Sequence, residues 1–149
     1  MEKVMKKFGE LMLDELYDIL KLRTDIFVVE QNCPYSELDN KDKESIHIFY
    51  RDSGEITAYL RIIPKFLSYD SVSMGRICVK KEFRDKKLGR ERVKDAINYI
   101  EKEMNEYIIT IGAQEYLKDF YASFDFKPVS EVYDEDGISH LDMQRVCEK

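Results

Sequence analysis

The sequence predicts an α/β (α+β) domain with a mixed, mostly antiparallel sheet, and three observations carry that prediction. β-branched and apolar runs follow one another at Ile46–Tyr50, Ile56–Ile63 and Ser71–Lys80, separated by turn-forming residues. A helical stretch, Glu91–Met104, sets Val93, Ala96, Ile97, Ile100 and Met104 at three- and four-residue spacing, so one apolar face packs on a sheet. That helix leads into a further β run, Tyr107–Ile111, and reaching it through a helix implies a right-handed crossover to a parallel partner.

Each element has its own signal. Val4–Phe8 mixes Lys with apolar residues without helical spacing and reads as a short first strand. From Leu13 to about Val29, Leu13, Leu16, Tyr17, Leu20 and Phe27 outline a helix face, with Asp14 and Glu15 in the first turn, where the macrodipole favours acids. Asn32, Pro34, Ser36, Asp39 and Asn40 then mark a long loop of turn formers, of a length more often functional than idle. Arg51-Asp-Ser-Gly-Glu55 is a hairpin signal, Pro64 ends the second run, and Ser71–Lys80 completes a meander. After the crossover, Gly112-Ala-Gln114 is expected to break the strand, and Glu115–Phe124 resumes helical spacing until Pro128 blocks it. Val129–Tyr133, the turn Asp134–Gly137 and Ile138–Val146 read as a second hairpin.

Composition narrows the function. With 149 residues, 44% hydrophobic and 36% charged, the chain is expected to fold as one domain spanning 1–149, without repeats or linkers. No run approaches a membrane span and MEKVMKKFGE lacks the apolar core of a signal peptide, so a cytoplasmic protein with no membrane partner is expected. Cys33, Cys78 and Cys147 are odd in number and far apart, which fits reduced thiols and no metal cluster. A net charge of −6 and the lack of Trp speak against general nucleic-acid binding.

Against that acidic total, Lys80–Lys94 holds eight Lys or Arg and three acids. Arg90 and Arg92 occupy a first helical turn that acids normally take, which costs stability unless an anion binds there. Gly89, at the mouth of the helix, would let a phosphate come close to free backbone amides.

The order strand, Arg84-Asp-Lys-Lys-Leu-Gly89, amphipathic helix resembles motif A of the GNAT acetyltransferases, whose usual loop is Arg/Gln-x-x-Gly-x-Gly/Ala. LRTDIFVVEQNCPYSELDNKD, AYLRIIP, GRICV, AQEYLKDFYASFDF and DGISHLDM are similar, in the same order, to stretches of the ElaA-type branch of that superfamily. Lys87 departs from the pattern where its first Gly is usual, and Asp125 departs where the tail motif Phe-Tyr-x-x-x-Gly-Phe has Gly. The resemblance implies a splayed central pair of parallel strands with helices on both faces, and acetyl-CoA as co-substrate without a metal. It also implies that the backbone of Arg84, Asp85, Lys86, Lys87, Leu88, Gly89 and Arg90 cradles the pyrophosphate. Ile77, Cys78 and Val79 would then offer backbone groups to pantetheine.

By the same resemblance Tyr121 aligns with the tyrosine that serves as general acid in many relatives; as a bare residue it would read as a core tyrosine. Glu30 opens the long loop and borders the acceptor site, as base or as ligand for a cationic amine. His140, in the family-like DGISH segment, has an unperturbed pKa suited to a base, and His47 is read as structural. Arg61 and Arg76, cations within apolar strands, are expected to pair with a carboxylate such as Glu30 or to line the acceptor cleft with Gln114. Cys78 lacks a His/Asp partner and reads as a small buried hydrophobe. The expected function is acetyl transfer to a small-molecule or peptide amine, with homodimerisation open. The alternatives are a non-catalytic acyl-CoA sensing module and an acyl-homoserine lactone synthase-like acyltransferase.

Overall fold

Two sheets meet along one seam in the computed structural model, which describes residues 2–86 and 88–148, the side chains of Asp85 and Lys86 excepted. Lys87, the departure from the family loop, therefore lies outside the described residues. The first sheet is an antiparallel meander of β1 (Glu2–Lys7), β2 (Ile46–Asp52), β3 (Glu55–Ile63) and β4 (Ser73–Val79), in that spatial order. The second contains β5 (Ile108–Gln114), β6 (Lys127–Pro128), β7 (Tyr133–Glu135) and β8 (Ile138–Val146), with β5 antiparallel along β8 and the two short strands on the other edge of β8. Both tight hairpin loops put two residues at positive φ, Ser53 and Gly54 in one, Asp136 and Gly137 in the other, as two-residue loops between twisted strands require.

The sheets join through a parallel bridge between Val72 and Ile109, where Thr110 N–H donates to the Val72 carbonyl at 3.0 Å. Past that bridge no ladder links β4 to β5 among the described residues, so the two parallel strands part toward their C-terminal ends. This is the splayed pair the resemblance implies.

Alternating strand residues serve two cores, as a pleat demands. Tyr59 and Phe49 pack with Ile19 and Leu22 of α1 (Leu13–Arg23), while Leu60, Ile62 and Ile48 face Val93, Ala96, Ile97 and Ile100 of α2 (Leu88–Lys102) on the opposite side. The apolar row read from the sequence of α2 is thus its buried row. A third, short helix, α3 (Lys118–Ala122), adds Tyr121 to the larger core.

Three expectations are corrected. Leu13 and Tyr17 are 87% and 70% exposed, and α1 instead buries Glu15, Ile19, Leu22 and Arg23. A count of apolar spacing misses this face because half of it is charged and paired: Glu15 takes Lys6 at 2.8 Å, the Met12 N–H at 2.9 Å and Arg51 at 3.0 Å. Beyond Arg23 the helix continues as a π-helical segment, Thr24–Glu30. Second, β5 runs through Gly112 instead of breaking there; a Cβ at Gly112 would stand 3.1 Å from the Tyr69 hydroxyl and 3.2 Å from that of Tyr133, so the glycine makes room for two phenols. Third, Val129–Tyr133 is not one strand: Val129 N–H reaches the Asp142 carbonyl at 2.9 Å and Ser130 Oγ takes the Asp142 N–H at 2.8 Å, which replace a ladder.

Ile100 is fully buried between α2 and the sheet. Ile100→Ala is expected to cost about 2–5 kcal/mol of stability, visible as a lower urea midpoint with an unchanged slope.

Candidate active site

The divergence of β4 and β5 opens a cavity of about 730 Å³. Met74–Ile77 form one wall and Ile111–Gln114 the other; the end of the π-helical segment, the 33–41 loop, α3 and the β7–β8 hairpin close it. Its shape begins with a β-bulge. Tyr59 pairs with Cys78 but Arg61 pairs with Gly75, so Arg76 and Ile77 both stand opposite Leu60. Arg76 has φ 52°, a left-handed backbone that costs a non-glycine residue about 1–3 kcal/mol and persists only where its surroundings hold it.

What holds it is a buried ionic network. Arg23, fully buried in α1, donates from Nε to Glu37 at 3.0 Å and from its terminal nitrogen to Asp42 at 2.7 Å. Arg61 takes Asp39 at 2.6 Å and 2.9 Å and shares Asp42 at 3.0 Å. Arg76 Nε stands 2.6 Å from Glu37, its NH2 donates to the Glu37 carbonyl at 3.2 Å, and its guanidinium lies over the Tyr35 ring. Three guanidinium groups thus meet three carboxylates, all from the long loop, and clamp that loop onto the sheet as a cavity wall. Burial alone would raise the carboxyls of Asp39 and Asp42, but the hydrogen bonds and charge of Arg61 and Arg23 overcome it and hold both below the usual range. His47 is buried beneath, between the Tyr59 hydroxyl at 2.6 Å and the Asp42 carbonyl at 2.9 Å, and burial lowers its pKa. Its structural reading fits these contacts.

Most of the side chains singled out from the sequence come together around this cavity. Glu30, Arg61, Arg76, Ile77, Arg84, Gln114, Tyr121 and His140 all line it. Their partners differ from expectation in one respect. Arg61 and Arg76 pair with the loop carboxylates and not with Glu30, because Glu30 is held at 2.9 Å by Arg84, whose Nε also donates to the Val79 carbonyl at 3.0 Å. Gln114 exchanges amide contacts of 3.3 Å and 3.5 Å with Gln31 across the cleft.

Tyr121 is buried against Phe120 and Phe126, and burial raises its phenol well above the ordinary range, so it stays protonated at neutral pH. His140 Nδ1 lies 2.8 Å from the Ile138 carbonyl, which requires a proton on Nδ1 and leaves Nε2 as the nitrogen that can gain or lose one. Nε2 is 3.4 Å from Glu135. Cys78 is buried and its thiol is pushed up to about 12 by burial, as suits a packed hydrophobe and not a nucleophile.

The basic loop folds as a 3₁₀ segment over Lys81–Lys86, and α2 is described from Leu88, three residues before the sequence reading placed it. Among the described residues a Cβ at Gly89 would meet nothing nearer than Val79 Cγ2 at 4.0 Å, which leaves room beside the first turn of α2. Arg90 turns toward α3, donating to Ser123 at 3.0 Å over the Phe124 ring at 4.5 Å, while Arg92 is fully buried on the other side of the helix. Sequence reasoning did not single out Gln31, Cys33, Tyr35, Asp39 or Lys41 as site residues, although all line the cavity. The one signal for them was the length of their loop.

The lowered carboxyls set the pH dependence of stability. A depressed folded pKa contributes stability that is complete above the ordinary carboxylate value, about 4, and is lost as pH falls through the folded value. Asp42→Asn, which leaves Arg23 and Arg61 short of a charge partner, is expected to cost about 3–5 kcal/mol at neutral pH. In urea unfolding the gap between parent and variant narrows below about pH 4.

Comparison with known proteins agrees with this geometry. The model of the acetyltransferase (GNAT) domain matches residues 22–147. The chain is 38% identical over 139 residues to protein ElaA of Escherichia coli, covering 92% of this chain and 91% of that one, and 38% identical over 146 residues to a UPF0039 protein of Schizosaccharomyces pombe, covering 97% and 96%. Among solved structures, an acyl-CoA N-acyltransferase from Pseudomonas aeruginosa superposes with a TM-score of 0.92 at 34% identity, covering 98% of this chain and all of that one. The fold, the splayed strands and these likenesses agree: the chain belongs to the GNAT acetyltransferase family, alongside ElaA.

Proposed function

We propose that this chain is an acetyl-CoA-dependent N-acetyltransferase that moves an acetyl group to the amine of a small molecule or peptide by direct attack, with both substrates held between β4 and β5. The observation that carries this reading is the convergence, on one cavity, of a protonated buried phenol at Tyr121, an imidazole at His140 whose Nε2 is not taken up by the backbone, and the mouth of the basic loop at Arg84. The residues present fit the co-substrate. Among the described residues the β4 edge at Ile77–Val79 makes no ladder with β5, the first amides of a helix lack intrahelical acceptors, and Gly89 leaves room in that first turn. Acetyl-CoA, when bound, supplies the thioester carbonyl.

The chain's own groups divide the proton work. His140 Nε2 accepts a proton from the acceptor amine, and Glu135 beside it steadies the resulting imidazolium. Tyr121 keeps its proton until a thiolate needs one. Glu30, already paired with Arg84, serves in binding more readily than as base, and Glu135 and Asp136 at the cavity favour an amine that arrives as a cation. Arg61, Arg76 and Gln114 shape the acceptor side.

The test combines CoA titration by calorimetry with release of free thiol across a panel of amines. Tyr121→Phe is expected to bind CoA like the parent while kcat falls about 10²-fold or more, and His140→Gln to lose about 10²–10⁴-fold. CoA uptake with no amine turned over above hydrolysis would overturn the catalytic reading in favour of a sensing module. No CoA uptake at millimolar ligand would remove the cofactor.

A further inference from the structure

Arg92 is fully buried, and none of its three guanidinium nitrogens has a hydrogen-bond partner among the described residues. It stands four residues after Leu88, in the row that continues through Ala96 and Ile100, where an apolar side chain would extend the core. Its Cζ sits 3.1 Å from the centre of the Tyr50 ring. The Tyr50 hydroxyl in turn donates to Asp95, which Lys3 approaches at 3.3 Å. The cation therefore rests on a π face backed by a carboxylate it does not touch. A buried charge without a direct partner is expensive, by several kcal/mol for an isolated ion. Its stacking on the Tyr50 ring offsets part of that cost, and the remainder asks for a use elsewhere.

Helix geometry says where. At 1.5 Å of rise per residue, Arg92 lies about 6 Å along the axis from the first residue of α2, so its charge stands on the order of 10 Å from the helix-start amides. Tyr50, on whose ring Arg92 rests, pairs with Ala58, and Ala58 pairs with Val79, so this charge stands level with the end of β4 as well. The exposed Lys81 of the loop is screened over about 8 Å at physiological salt, whereas a buried charge is screened much less.

We infer that Arg92 is a buried cation that strengthens binding of the acyl-CoA diphosphate at the start of α2 through its field, without touching the ligand. This rests on the reading of that helix start as the diphosphate site. It also accounts for a cation in a core row: affinity is gained where stability is lost.

The experiment is CoA titration by calorimetry on the full chain and on Arg92→Met, Arg92→Lys and Lys81→Met, with melting temperatures. Arg92→Met is expected to weaken CoA about tenfold while melting at or above the parent's temperature. Arg92→Lys, whose buried ammonium loses its proton far more readily than a guanidinium, is expected to lose part of the CoA affinity, more so as pH rises. Raising NaCl to about 0.5 M leaves the Arg92→Met deficit in place and shrinks that of Lys81→Met. Pantetheine, which has no diphosphate, binds parent and Arg92→Met alike. Parental CoA affinity in Arg92→Met overturns the inference, and so does a lower melting temperature, which would mark Arg92 as a structural brace. A parent chain that takes up no CoA is a separate result: it removes the acyl-CoA reading and this inference with it.

Discussion

The cavity depends on a largely buried ionic clamp. Arg23, Arg61 and Arg76 reach one loop from a helix and two adjacent strands, and Glu37, Asp39 and Asp42 of that loop answer them. Buried pairs of this kind contribute little net stability compared with apolar packing, but leaving one member alone is costly, so they act as a strict register device. Here the register they enforce is unusual. Holding Arg76 at positive φ maintains the bulge in β4, and the bulge carries the second half of that strand away from β5. One set of charges thus secures the loop that walls the cavity and the distortion that opens it.

Because the clamp is internally neutral, it leaves the electrostatics of the cavity to other groups. Basic residues gather where β4 passes into α2, and carboxylates at the β7–β8 hairpin lie near His140. The cavity is thus polarised, basic at the end where β4 leads toward α2 and acidic at the hairpin. Arg84 spans the two sides by holding Glu30, though both groups are about 40% exposed, so the bridge is screened and weak.

Much of the fold was legible in the sequence because it depends on local periodicity. The meander, the two hairpin loops, the buried row of α2 and the crossover to β5 all follow from spacing and turn chemistry. The basic helix start was legible too, since it violates the usual charge preference of a first turn. The reading went astray where polar residues do apolar work. Glu15 and Arg23 face the core of α1 because each finds partners far away in the chain, and no count of hydrophobic residues can anticipate that. Gly112 misled for a related reason: it relieves crowding from Tyr69 and Tyr133, which a single strand cannot reveal.

The sequence by itself determined the order of most elements and the family, because both are written in neighbouring residues. Only the tertiary structure decided which charges meet. It gave Arg61 and Arg76 to the loop carboxylates, Glu30 to Arg84 and Arg92 to the Tyr50 ring, and it opened the cavity by parting β4 from β5. Pairing energies depend on distance and burial in three dimensions, and those quantities exist only once remote segments have been brought together.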